Sequence, residues 1–165
     1  MQGLGCVAGS PACASAEPGY AHSHFVSPAC GSAVPKVLIA DNDVAVSALL
    51  RDVLERSGLS VDVAFDGESA RRMASDPAVD VLVCDLDMPL TSGLDVLAAL
   101  ALLATPPAVV VVSGYVDQAV LDQLREWQFV REVLRKPFDL LAFARSVAGL
   151  ARGAGGLAAC AASRE

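Results

Sequence analysis

The residues best equipped for chemistry are polar groups standing directly behind apolar runs. In "VLVCDLDMP" (81–89) four apolar residues lead into Asp85, Asp87 follows two places on, and Met-Pro closes the stretch. "VLIADND" (37–43) runs in the same way into Asp41, Asn42 and Asp43. "VVVVSG" (109–114) ends on Ser113 and Gly114, and "VLRKPF" (133–138) carries Lys136 and Pro137. Carboxylates brought together repel unless cations lie among them. Lys136 supplies one positive charge. A hard divalent ion such as Mg2+, which takes oxygen from one or two carboxylates plus phosphate, supplies two more. A carboxylate held beside both is equipped for phosphoryl transfer: the cations neutralise the phosphoryl oxygens while the carboxylate attacks in line and becomes an acyl phosphate. The Ser113 hydroxyl can donate to a phosphoryl oxygen, and Gly114 leaves room for the incoming group. Pro89 breaks the backbone beyond the acids and keeps them in an open loop.

Such convergence needs elements that point the ends of these runs to one place. "KVLIA" (36–40) reads as a strand, and Val46, Leu49, Leu50, Val53 and Leu54 repeat at helical spacing after it. Gly58 stands where a glycine would end that helix. "LSVDVAF" (59–65) alternates like a half-exposed edge strand, and Asp66 is placed to cap the helix that follows. "VDVLVC" (79–84) and "PAVVVV" (107–112) are continuous apolar runs, as expected of strands buried on both faces. Helices are expected around 93–104 (Leu94, Leu97, Leu100), around Val116, Val120 and Leu124, and around Leu140, Leu141, Ala144 and Val147, with "REVL" as the fifth strand. Five strands alternating with five helices predict an α/β, doubly wound parallel sheet. In such a sheet every strand's carboxyl end points to one edge, where ligands bind. Asp41, Asn42, Asp43, Asp85, Asp87, Ser113, Gly114 and Lys136 all fall there.

Bulk properties narrow the field. The 165 residues suffice for one domain plus tails, and a hydrophobic content of 54% supports a single core. A net charge of −7 argues against nucleic-acid binding by phosphate neutralisation. No apolar run is long enough for a membrane helix, and the first twenty residues hold no Lys or Arg, so neither a membrane span nor a secretory signal is expected. The five cysteines are odd in number, with four in the tails, which suits a reducing cytoplasm better than a disulfide framework. Residues 1–35 read as a disordered low-complexity leader or linker. His22, His24, Cys6, Cys13 and Cys30 in it match no familiar metal spacing. Residues 36–150 form the expected domain, and 151–165 a Gly/Ala-rich fraying helix end and tail.

Taken together, "VLIADND", "VLVCDLDMPLTSG", "VVVVSG" and "VLRKPF", in register with a five-fold β/α pattern, resemble the receiver (response-regulator, CheY-like) domain of two-component signal transduction. The resemblance covers about residues 36–150. It implies a flavodoxin-like (βα)5 sheet of strand order 2-1-3-4-5. It also implies a protein that takes part only in its own phosphorylation and dephosphorylation rather than an enzyme. Asp85 would be the phosphoacceptor, taking the phosphoryl group from a histidine kinase or phosphotransfer protein. Asp41, Asn42, Asp85 and the backbone carbonyl of Asp87 would hold Mg2+. Ser113 would be the switch hydroxyl and Lys136 its charged partner, with a Lys136–Pro137 bond that is often cis. Output would pass to a downstream protein through the face built by the fourth helix, fifth strand and fifth helix, since no DNA-binding or catalytic domain follows residue 150.

Three positions depart from the family pattern. Asn42 replaces a second acid, so weaker Mg2+ binding is expected, with Asp43 adjacent. Val133 replaces an aromatic that couples the switch to the surface. Trp127, Gln128 and Phe129 replace a glycine before the fifth strand; exposed, that aromatic pair would be a partner contact, and buried, a substitute for the turn. Plainer readings exist for single residues. Asp41 or Asp43 could cap the first helix, Asp87 could be a loop acid, Ser113-Gly114 a turn, and Lys136 a surface charge. Cys84 reads as a small core residue. Two other functions stay in view: a degenerate receiver docking without phosphorylation, and a small aspartyl-phosphate phosphatase, which would need a substrate-enclosing cap that these short loops lack.

Overall fold

A computed structural model describes residues 34–161 apart from Leu90, without the side chains from 154 onward. The leader, with its cysteines and histidines, lies outside the described residues. Five strands, β1 (Lys36–Ala40), β2 (Ser60–Ala64), β3 (Val81–Asp85), β4 (Ala108–Ser113) and β5 (Val130–Arg135), alternate with five helices. These are α1 (Val44–Arg56), α2 (Gly67–Ala74), α3 (Gly93–Leu100), α4 (Gln118–Glu126) and α5 (Leu140–Ala161). All strands pair in parallel, in the order β2-β1-β3-β4-β5. The expected doubly wound α/β sheet is therefore the observed fold.

Alternation along each strand divides the core. Leu38, Ala40, Leu82, Cys84, Val109 and Val111 pack toward α2, α3 and α4. Val37, Ile39, Val81, Val83, Val110 and Val112 pack toward α1 and α5, where Leu50, Leu54, Phe143 and Val147 meet them. The central strands are greasy on both faces because helices cover both. β3 is buried throughout, which fixes Asp85 at its carboxyl end as firmly as any residue in the sheet.

The helix ends follow the capping chemistry of the sequence. Asp43, Asp66, Ser92 and Asp117 cap α1, α2, α3 and α4 through their side chains. Gly58 adopts φ +81°, the left-handed turn that ends α1. Several details depart from the sequence reading. α3 stops at Leu100, and Leu102 beyond it is 88% exposed. Val116 precedes α4 rather than lying in it. Leu49 points outward, because the buried stripe of α1 runs through Ser47, Leu50 and Leu54. α5 continues past residue 150 to Ala161. Trp127 and Phe129 are half-buried, stacked at 5.9 Å between ring centroids, and packed on the α4 side of the core. They fill the turn where a glycine was expected.

Candidate functional site

The sheet delivers Asp41 from β1, Asp85 from β3 and Lys136 from just beyond β5 to one point. The Lys136 ammonium donates to Asp41 Oδ2 at 2.8 Å and to Asp85 Oδ2 at 2.6 Å. Both carboxylates are buried, with side-chain exposures of 1% and 7%, whereas the lysine retains 26%. Each acid is held by its second oxygen as well. The Asp43 amide donates to Asp41 Oδ1 at 2.8 Å, and the Asp87 amide to Asp85 Oδ1 at 3.0 Å. Charge-assisted bonds of this kind fix a carboxylate's orientation. Burial is the largest influence on the Lys136 ammonium and pulls its pKa down. Hydrogen bonds and charges from Asp41 and Asp85 together outweigh it, and the pKa lies above its ordinary 10.5.

The fourth strand brings Ser113, fully buried, to the same edge. Its hydroxyl donates to the Tyr115 carbonyl at 2.8 Å and lies 3.3 Å from Asp87 Oδ2. The Ser113 carbonyl accepts from the Lys136 amide at 2.9 Å, tying β4 to the lysine. The bond between Lys136 and Pro137 is cis. A Cβ on Gly114 would meet no atom within 4 Å, so the space beside Ser113 is open.

Of the expected metal-site residues, Asp41 and Asp85 are brought together on Lys136, with Asn42 directly after Asp41. Asn42 is exposed, and Asp43 is committed to capping α1 through its bonds to the Ala45 and Val46 amides. The neighbouring acid is thereby spent on the helix. Asp87 contributes a side chain as well as a backbone to the site, through its approach to Ser113. Among the described residues no group of three or more His, Cys, Asp and Glu forms a ready metal cage. The donors nevertheless fit Mg2+, because two buried carboxylates already share one cation and this ion requires only one or two of them.

Two supporting residues carried no functional signal of their own. Ser47 on α1 is buried and donates to the Asp41 carbonyl at 3.0 Å, bracing β1's exit from below. Gly93 opens α3 against the backbone of Asp85 and Leu86: a Cβ there would fall inside the radius of the Asp85 carbonyl oxygen and 2.8 Å from Leu86 Cα. Gly93 stands inside the quoted "DMPLTSG" run, and only the fold shows why it must be glycine.

The family model for the response regulator receiver domain matches residues 37–147. The chain belongs to that family. As a receiver domain it is a two-component signalling module and not an enzyme of the ordinary kind. Relatives include the transcriptional regulatory protein PrrA of Mycobacterium leprae, 33% identical over 78% of this chain and 54% of that protein. Another is the transcriptional regulatory protein CpxR of Escherichia coli K12, 42% identical over 39% of this chain and 28% of that protein. The receiver thus spans about half or less of either relative. Among solved structures, a CheY-like response regulator receiver domain protein from Methanospirillum hungatei JF-1 superposes with a TM-score of 0.67 at 17% identity. It covers 74% of this chain and 97% of that one, a likeness of fold. No helix among the described residues is long and apolar enough to cross a membrane.

Cys84, one residue before Asp85, faces the core instead of the site. Burial first, then the charges of Asp85 and Asp41, push its thiol up to about 12 from 9.0. A folded state that holds this proton more tightly than the unfolded chain gains stability in full below pH 9, and loses it as pH rises toward 12. Between pH 8 and 10 the receiver should therefore lose about 1 kcal/mol to this group. Urea midpoints should fall less steeply with pH for Cys84→Ala; parallel slopes would refute the assignment.

Proposed function

We propose that Asp85 accepts a phosphoryl group from a histidine kinase or phosphotransfer protein in a two-component phosphorelay, with Mg2+, in the cytoplasm. The signal then passes to a downstream protein through the α4-β5-α5 face. The observation that carries this reading is the single ammonium of Lys136 bridging two buried carboxylates, Asp41 and Asp85. A nucleophilic carboxylate needs its charge balanced before a phosphoryl group can approach, and Lys136 supplies that balance in advance. The Asp87 amide holds Asp85 Oδ1, so the carboxylate meets its donor in one orientation. Asp41, Asp85, the Asp87 carbonyl and, from a more exposed position, Asn42 would hold Mg2+. When bound, that ion neutralises phosphoryl oxygens. Ser113 has one hydroxyl proton, currently directed at the Tyr115 carbonyl, and redirecting it to a phosphoryl oxygen would release that contact.

In the transfer, the Asp85 oxygen forms a bond to phosphorus as the donor's nitrogen–phosphorus bond breaks, and the donor imidazole leaves with the electron pair. Phosphoramidate, a small donor with the same bond, followed by hydroxylamine, tests the site. Hydroxylamine attacks the acyl carbon, expels phosphate and leaves a hydroxamate that peptide mass mapping locates. The modification is expected at Asp85; a hydroxamate elsewhere, or none where a control receiver reacts, would sink the proposal.

The exposed Asn42 and the spent Asp43 favour one second reading, a receiver that docks without phosphorylation. Its discriminating variant is Asn42→Asp. A third carboxylate should tighten Mg2+ roughly tenfold, since ligand charge governs affinity for hard cations. Isothermal titration calorimetry with Mg2+ on the parent and the variant reads the affinity. Unchanged affinity would show that the position takes no part in holding the ion.

A further inference from the structure

Charge is distributed unevenly along the chain. Residues 34–117 contain 13 Asp and Glu against 5 Lys and Arg, whereas residues 118–152 contain 4 against 6. The arginines differ in their company too. Arg51, Arg56, Arg71 and Arg125 are each paired with a carboxylate one helical turn away. Arg131, Arg135 and Arg145 are exposed, and among the described residues none of them forms an ion pair.

Two of these lie on β5 and the third on α5, the helix tied to that strand through Ser146 and Glu132. β5 is an edge strand, and its pairing with β4 skips a residue: Val109 pairs with Val130 and Val110 with Glu132. Arg131 is the extra residue of this bulge, displaced from the ladder. Bulges commonly re-aim a side chain at a sheet edge. Arg135 ends the same strand opposite Ser113 and directly precedes Lys136, which joins the surface to the site. Ser146 of α5 hydrogen-bonds Glu132 of β5, and so seats the stretch of α5 that carries Arg145 against the strand. Between the two strand arginines, Val133 is half-buried with Val116 and Val120 on the α4 side. Two guanidinium groups that form no ion pair among the described residues thus stand on either side of a half-buried valine on this strand, with Arg145 on the adjoining helix.

We infer that this surface takes an acidic segment of a partner protein, whose carboxylates meet Arg131, Arg135 and Arg145. The inference rests on the proposed output through the α4-β5-α5 face and adds the chemistry of its partner. Guanidinium groups bind carboxylates in bidentate fashion and are frequent anchors at interfaces. Nucleic acid is the other polyanion to weigh. A duplex would extend beyond the patch onto the acid-rich remainder of the surface and be repelled, whereas a short segment stays within a Debye length of the arginines.

The test uses the full chain, fluorescence anisotropy and three labelled probes: an Asp/Leu-rich dodecapeptide, its Lys-for-Asp counterpart, and duplex DNA. The acidic peptide should bind, weaken with salt, and weaken about tenfold in Arg131→Ala/Arg135→Ala. The basic peptide and the DNA should not bind. No binding of the acidic peptide, equal binding by the double variant, or tighter binding of DNA would each overturn the inference. A mass measurement of phosphoryl adduct on the same samples separates the two readings. Normal adduct without peptide binding removes only the acidic partner, and arginine-dependent binding without adduct supports the partner while removing the phosphoacceptor.

Discussion

Lys136→Met is expected to lower stability in metal-free buffer by about 2–3 kcal/mol, a little under the cost of breaking a fully buried ion pair because the lysine is a quarter exposed. Among the described residues no other cation pairs with Asp41 or Asp85, so the variant leaves two like charges buried side by side. Millimolar Mg2+ should recover part of the loss, since a divalent ion replaces the missing charge. Phosphoryl adduct should still form, more slowly, while the response of the α4-β5-α5 face is uncoupled. Urea denaturation with EDTA and with Mg2+ measures the effect. A variant as stable as the parent in EDTA would show that the acids do not depend on Lys136.

The second large effect concerns backbone spacing. Gly93→Val should cost about 3 kcal/mol, because its Cβ would enter the space of the Asp85 carbonyl and the Leu86 Cα, neither of which is a side chain free to swing aside. Displacing that backbone also displaces the loop in which Asp85 and Asp87 hold each other. Adduct formation should therefore fall further than the loss of folded protein explains. Gly114→Ala is the companion control: its Cβ meets nothing, and its stability should stay close to that of the parent. Equal stabilities for all three proteins would contradict the packing account.

The acids and the lysine were legible in the sequence for a simple reason. Asp41 and Lys136 stand one residue beyond a strand and Asp85 ends one, and parallel strands all deliver their carboxyl ends to the same edge. Sheet and helix order were legible because central strands and capped helices advertise themselves in hydrophobic period and in Asp43, Asp66 and Gly58. Other features depend on neighbours that period cannot identify. Ser47 looked polar and Leu49 apolar, yet the rotation of α1 buries the serine beneath Asp41 and turns the leucine out. Nothing in the spacing of Asp87 indicated that its carboxylate approaches Ser113, since their strands are neighbours only in space. The bulge at Arg131 likewise exists only relative to β4. The fold of the domain is thus written in local pattern, and the fine allocation of its polar side chains in tertiary contact.

Asp85, charge-balanced by Lys136, should be a working phosphoacceptor. Intact-mass spectrometry after incubation with acetyl phosphate, with and without Mg2+, tests it most directly, beside Asp85→Asn. A single Mg2+-dependent phosphoryl adduct is expected on the parent and none on the variant, which should remain folded. An adduct that persists in Asp85→Asn would contradict the assignment of the site. No adduct on the parent, from a donor that labels a control receiver, would contradict phosphorylation itself and leave a docking module with Asn42 as the first residue to restore.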